Sequence, residues 1–314
     1  MIRKLYLFII PILFLACTES EIKFINQIDN SLRYNTEVFE NVAITRDVRY
    51  GANATLGGST LGLTMNIYEP EGDTEVNRPL VVLAHGGGFT SGNKNDLDNF
   101  ASFLAKSGYV VASIDYRLLD ITPSEEAFKK VVINAVADMK AAVRFFNKDK
   151  ATDNLYRINS SNIFIGGYSA GAITALHYGY VKTNAELTDI GGSTFLEYVK
   201  NNGGIDGLSG NENYPSNVKG IINISGSLFN SSFVNSGEPS LYSIHGTNDT
   251  VVPYNKGNTN NTGVITEGSN IIHQKAVSAG ITNSLKTIQN GEHDAFFKCG
   301  SCFSETRAFI FSQL

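Results

Sequence analysis

The sequence predicts an α/β domain: a mostly parallel central sheet covered by helices on both faces. Three observations carry that expectation. Near-continuous apolar runs recur along the chain, as in Pro79–Ala84, where Leu80, Val81, Val82 and Leu83 follow one another without a polar break. A strand buried on both faces has that pattern, whereas a half-exposed strand alternates. Amphipathic helical stretches separate the runs, a cadence that goes with parallel pairing. Glycines also cluster directly after two of the runs, at 86–88 and 166–171.

With 314 residues, 42% hydrophobic and 18% charged, the chain is long enough for one large domain with its own core. Those proportions exclude disorder, collagen-like repeats, coiled coils and a polytopic membrane protein. Twenty-five basic residues against 30 acidic ones, a net charge of −5, provide no electrostatic footprint for nucleic acid.

The first element is an address. Arg3 and Lys4 precede an apolar run from Leu5 to Ala16 that is too short to span a bilayer comfortably. That is the layout of a secretory signal peptide, read as residues 1–16. Phe14-Leu15-Ala16-Cys17 resembles the lipobox of bacterial lipoproteins, with Phe14 standing where leucine is usual. The resemblance implies that Cys17 is lipidated and anchors an exported protein to a bacterial membrane, facing the periplasm or the cell surface. Loss of Arg3 and Lys4 with the leader would take the charge from −5 to −7. Residues 17–35 then form a polar, aperiodic tether, and 36–314 form the domain.

Within the domain, the alternating segments 41–50 and 61–68 predict an antiparallel start. The buried-strand pattern follows at 79–84, 109–114, 162–165, 218–224, 241–244 and 285–288. Helix 98–106 sets Phe100, Phe103 and Leu104 on one face and stops before Gly108. Ser124-Glu125-Glu126 opens a long amphipathic helix to about Asn147, with acids in its first turn. Helices are also expected at 172–180, 269–279 and 305–314. Between 182 and 217 the cadence breaks into a short helix and a Gly/Asn-rich loop, either a lid or a surface excursion.

Cys299 and Cys302 form a lone C-x-x-C. A thioredoxin-like centre would need its pair early, in a small βαβ unit. Zinc would need about two more ligands nearby. The expectation is a local disulfide, contributing ~2 kcal/mol by the loop-entropy model.

The chemistry concentrates in four stretches. Gly167-Tyr168-Ser169-Ala170-Gly171 is a G-x-S-x-G between a strand and a helix. A serine on such a sharp turn needs small residues two before and two after it, and the turn exposes its hydroxyl. His85-Gly86-Gly87-Gly88 follows another strand, and its glycines leave backbone N–H groups free to meet a substrate oxygen. The loop has neither the Lys-Ser/Thr ending of a Walker loop nor dinucleotide-fold spacing. Its donors are expected at Gly87 and Gly88, joined by the N–H of Ala170.

A serine nucleophile requires a base. Of the five histidines, His85 belongs to the glycine loop, His177 to the helix after the serine, His245 to a strand end and His273 to a helix surface. His293 lies on a turn after the last strand and is the base by elimination and chain order. The acid that orients it is expected at Asp249, on the turn after 241–244. Glu292 and Asp294 are rivals, although neighbours of a histidine rarely point back at its ring.

Leu83–Phe89, Ser113–Leu118, Asp138–Phe145, Gly166–Gly171 and His245–Pro253 together resemble carboxylesterase-type α/β-hydrolases. The likeness is strongest to HGGG-containing esterases, including a bacterial feruloyl and acetyl esterase-like branch, and covers about residues 40–314. It implies an α/β-hydrolase fold and hydrolysis of carboxylic esters by Ser169, His293 and Asp249, with no metal or organic cofactor. Asp115, Tyr116 and Arg117 would be supporting residues. The expected partner is a small-molecule or glycan-linked ester, bordered by Phe89, Tyr168 and the 182–217 segment. A catalytically silent surface binder and a serine peptidase are the competing functions.

Overall fold

The computed structural model describes residues 32–259 and 262–314. The signal segment, Cys17 and all of the tether except residues 32–35 lie outside them. Strands β1 (Val42–Ala54) and β2 (Thr60–Pro70) pair antiparallel. Then come β3 (Arg78–Ala84), α1 (Asp98–Ala105), β4 (Val110–Ile114), α2 (Glu125–Ala151), β5 (Ile158–Tyr168), α3 (Ala170–Tyr180) and α4 (Asn184–Asn201). The second half runs β6 (Gly220–Ile224), β7 (Ser227–Leu228), β8 (Ser240–Gly246), β9 (Lys256–Asn258), β10 (Ile265–Gly268), α5 (Ser269–Ser278), β11 (Asn283–Ile288), α6 (Ala295–Lys298) and α7 (Cys302–Ser312).

The main sheet has eight strands in the order β1-β2-β4-β3-β5-β6-β8-β11. From β4 to β11 every neighbouring pair is parallel, and β2 joins β4 antiparallel. The predicted α/β class, antiparallel start included, is therefore the observed one. Burial shows why the inner strands lack a polar break. Leu80, Val82 and Ala84 of β3 enter one core, while Val81 and Leu83 enter another on the opposite face. Successive side chains of a strand point to opposite sides, so a sheet covered twice needs both sets apolar.

Helices α2, α3 and α5 close the first face, with α2 contributing Phe128, Val132, Val136 and Val143. Helices α1, α6 and α7 close the other through Phe100, Leu104, Phe296 and Ile310. Ser124, where the helix was expected to open, caps it: its hydroxyl accepts from the Ala127 N–H at 3.1 Å. Helix α2 continues one turn past the predicted end, to Ala151, and in that turn Asp149 accepts from the N–H groups of Leu155 and Tyr156, both at 3.0 Å.

The 182–217 segment departs most from its reading. It holds an 18-residue helix, α4, opened by a reciprocal cap between Thr183 and Glu186. The helix kinks at Gly191–Gly192 and is longer than the short one expected. Leu187, Ile190, Phe195 and Val199 bury themselves in the α2-side core, and the Tyr198 hydroxyl donates to Asn134 Oδ1 at 2.8 Å. A short second sheet, β7-β10-β9, had no signal strong enough to be read. Cys299 and Cys302 form a disulfide with Cα atoms 5.5 Å apart. Among the described residues no helix is long and apolar enough to cross a membrane.

Candidate active site

Strand β5 ends and α3 begins within one residue, and Ser169 is the joint. Its backbone sits at φ +54°, ψ −116°, a conformation that side-chain-bearing residues seldom adopt. The flanking glycines are required by packing onto the end of β3. A Cβ on Gly167 would lie 2.3 Å from the Ala84 carbonyl oxygen, and one on Gly171 would lie 2.0 Å from the same atom. The Ser169 N–H donates to the Ile224 carbonyl at 2.9 Å, hooking the turn onto β6.

The glycine loop after β3 faces this serine. Gly87 and Gly88 have φ of +102° and +61°. The Gly87 carbonyl is turned away and accepts from the N–H groups of Thr90 and Ser91 at 3.0 and 3.1 Å. The N–H groups of Gly87 and Gly88 donate to no protein acceptor among the described residues. Ala170, as the first residue of α3, likewise has an N–H without an intrahelical partner. His85 braces the loop from below: its Nδ1 donates to the Gly86 carbonyl at 2.7 Å, and its ring stacks on Tyr116 at 4.3 Å. The Tyr116 hydroxyl donates to the His85 carbonyl at 2.8 Å.

Two further loops complete the arrangement. His293 follows β11, and its Nε2 lies 2.8 Å from Ser169 Oγ. Its Nδ1 lies 2.6 Å from Asp249 Oδ2. The two loops are sewn together by Asn248 N–H to the Gly291 carbonyl and Thr247 N–H to the Ile288 carbonyl, at 2.9 and 3.0 Å. Gly246 permits this contact, since a Cβ there would lie 2.2 Å from the Gly291 carbonyl oxygen. The other Asp249 oxygen accepts from the N–H groups of Val251 and Val252, both at 2.9 Å. Burial pushes the Asp249 carboxyl up, but hydrogen bonds from His245, His293 and the Val252 amide outweigh it. They hold the group well below the usual carboxylate range.

The expected Ser169, Asp249 and His293 thus meet in space. The rival acids turn elsewhere: Lys298 Nζ lies 2.7 Å from Asp294 Oδ1 and 3.7 Å from Glu292 Oε2. Arg117 and Asp138 form a buried pair at 2.8 Å that ties the chain after β4 to α2, while Asp115 holds Lys94 beyond the glycine loop. Two residues passed over in sequence also belong to the site. Ser225 donates its hydroxyl to the His293 carbonyl at 3.0 Å. His245, set aside in sequence as a strand-end histidine, reaches Asp249 four residues on, at 3.1 Å.

A cavity of about 310 Å³ opens beside the serine, lined by Phe89, Phe128, Tyr168, Ile173, Val251 and Val252 among others. Phe89 and Tyr168 border it as expected. The 182–217 segment supplies none of its lining residues. Its helix α4 packs instead against α2, burying Leu187, Ile190, Phe195 and Val199 in the core. Among the described residues no three or more His, Cys, Asp or Glu side chains gather as metal ligands would.

A sharp serine turn beside a cluster of free amides, on a mostly parallel sheet, defines a protein of the α/β-hydrolase fold. The BD-FAE family model matches residues 65–227, more than half of the chain, and the chain belongs to that family. The matched span includes the glycine loop and Ser169 and ends before Asp249 and His293, which the tertiary structure places.

Similar solved structures share the fold. Thermogutta terrifontis esterase 2 phosphorylated by paraoxon has a TM-score of 0.60 at 17% identity, over 87% of this chain and 92% of its own. The propionate-bound form of that esterase gives 0.59 at 18% identity, over 87% and 92%. A truncated carbohydrate esterase from gut microbiota gives 0.55 at 18% identity, over 86% and 96%. No curated protein matches the sequence.

Proposed function

We propose that the protein hydrolyses carboxylic esters by acyl transfer through Ser169. The observation that carries this reading is the continuous chain from Ser169 Oγ through His293 to Asp249, at 2.8 and 2.6 Å, beside the free amides of Gly87, Gly88 and Ala170. His293 Nε2 takes the hydroxyl proton as Oγ attacks the ester carbonyl carbon. Asp249 holds the imidazole and stabilises its cation. The carbonyl oxygen takes up the negative charge and meets the three N–H groups. Collapse breaks the bond to the alcohol oxygen, which receives the proton from Nε2. Water then attacks the acyl-enzyme in the same way, returning the proton to Ser169 and releasing the acid.

The cavity favours compact acyl groups. On the His293 side, where the alcohol departs, Tyr168 and the exposed Phe297 stand edge to face at 4.9 Å beside the imidazole. This aromatic edge supports acylated carbohydrates as the substrate class, and the likeness of fold to a carbohydrate esterase agrees with it. Export and anchoring through Cys17 belong to the same proposal, and mass spectrometry of the mature N-terminus tests them.

The function is tested with p-nitrophenyl esters of increasing chain length, acetylated xylan and methyl ferulate, using Ser169→Ala as control. Turnover of at least one ester, abolished in the variant, is expected. A wild-type chain that turns over none of them, and that no fluorophosphonate labels, overturns the reading in favour of a silent binder.

A further inference from the structure

We infer that His245 is a positioning residue for the Asp249–His293 pair, an assignment that rests on the acyl-transfer reading above. The imidazole of His245 is fully buried at the end of β8. Its Nε2 lies 3.1 Å from Asp249 Oδ2, the same oxygen that meets His293 Nδ1, and 3.1 Å from the Val252 carbonyl. Both neighbours are acceptors, so Nε2 carries the proton and donates to both.

The other side of the ring settles which tautomer the packing demands. Asn223 Oδ1 accepts from the Gly226 N–H at 2.9 Å, which fixes the orientation of that amide. Its Nδ2 therefore donates to Ser243 Oγ and Ser269 Oγ, each at 2.9 Å. Ser269 then keeps its own hydrogen for His245 Nδ1, 2.7 Å away. A buried relay runs from Asn223 through Ser269 and His245 to Asp249, and its members come from β6, α5, β8 and the loop after β8. Every polar atom in it has a partner, which is the condition under which a buried network rigidifies a site.

The consequence for the reaction follows from sharing one oxygen. With two N–H donors on Oδ2, the carboxylate is held in one orientation and its charge is divided between two imidazoles. Without His245, Oδ2 loses that orientation, while the charge it can offer His293 increases. The turnover rate should fall and the acidic limb of the pH–rate profile should move to higher pH. The Tyr168 ring faces the pair, 5.0 Å from the His293 ring, and Glu292 and Asp294, which flank His293 in the chain, are both engaged by Lys298. Tyr254 faces His245, with ring centroids 5.6 Å apart.

The test compares His245→Met, which fills much of the volume without a donor, with His245→Gln, whose amide can place a donor near the Nε2 position. With p-nitrophenyl acetate, His245→Met is expected to lose about 10- to 100-fold in kcat, with KM little changed, and to show the displaced acidic limb. His245→Gln should recover the wild-type limb and most of the rate. A folded His245→Met with wild-type kcat and limb overturns the inference. So do two variants equally impaired with no movement of the limb, which is the mark of a purely structural role.

If His245→Met does not fold, nitrogen NMR of the wild-type chain labelled at histidine decides the matter. At pH 8 His245 must carry its proton on Nε2 and leave Nδ1 unprotonated, and the opposite tautomer sinks the proposal. A fluorophosphonate keeps the two readings apart. Failure to label Ser169 in the wild type defeats the acyl-transfer reading itself, whereas a labelled wild type beside an unaffected His245→Met defeats only the role of His245.

Discussion

At the scale of single residues, the glycine loop shows how backbone conformation limits what evolution can place at the site. Gly87 combines φ of +102° with a carbonyl that four donors anchor, and an added Cβ would lie 2.1 Å from the Ser91 carbonyl oxygen. Gly87→Ala must therefore rotate this peptide and misdirect its N–H. A loss of about 10²–10³ in kcat is expected, the usual consequence of removing one oxyanion donor. Steady-state kinetics on p-nitrophenyl acetate check it, and a variant within threefold of wild type would remove Gly87 from the donor set. Asp249→Asn addresses the neighbouring function. The amide cannot offer a carboxylate to both imidazoles, and a kcat lower by about 10⁴ is expected from the misplaced histidine proton.

At the scale of elements, the candidate active site stands on contacts that lie outside it. The segment after β4 reaches α2 through Arg117, whose guanidinium meets Asp138, the carbonyls of Ala54 and Asn134, and Ser209 Oγ. Ser209 in turn donates to Asp138 Oδ1 at 2.6 Å, so the 182–217 segment is tied into the same node. Asp138→Ala would leave a buried guanidinium without its counter-ion, at a cost of about 3–5 kcal/mol. Denaturant unfolding measures this, and an unchanged midpoint would contradict it. The motifs Asp115-Tyr116-Arg117 and Asp138 that resemble esterases are thus two halves of one clamp. They were legible as a pattern, but their pairing was not, because the partners stand 21 positions apart in the chain and only folding brings them together.

At the scale of the whole molecule, two buried histidines make stability depend on pH. His177 is fully buried in α3; its Nδ1 donates to the Ile173 carbonyl, and its Nε2 accepts from the Phe229 N–H at 3.2 Å. Burial lowers its pKa to about 4, against a reference of about 6.5 in the unfolded chain. Above pH 6.5 both states hold the neutral ring and nothing is lost. As pH falls from about 6.5 towards 4, the unfolded chain takes up a proton that the native state refuses, and stability declines by up to roughly 3 kcal/mol. His85, which burial also depresses, adds a contribution of the same sign. Urea unfolding at pH 7, 5.5 and 4.5 should show this decline, reduced in His177→Gln; an equal decline in both would refute the assignment to His177. The depressed Asp249 carboxyl acts in a separate window, below its reference of about 3.9.

The sequence by itself determined the sheet and its two covered faces, because strands buried on both sides must be apolar at every position. It also determined the serine turn and the glycine loop, because close packing at Gly87, Gly167 and Gly171 leaves no room for a Cβ. Ser169, Asp249 and His293 were identifiable from their turns and their order along the chain. Only the tertiary structure decided how those groups meet. The turning of Glu292 and Asp294 to Lys298, the partnership of His245 with Asp249, and the docking of α4 on α2 are contacts that depend on the closed fold. A pattern along the chain records which faces are apolar and which turns are tight, whereas the hydrogen-bond partners of a buried polar group depend on what lies across from it once the sheet has closed.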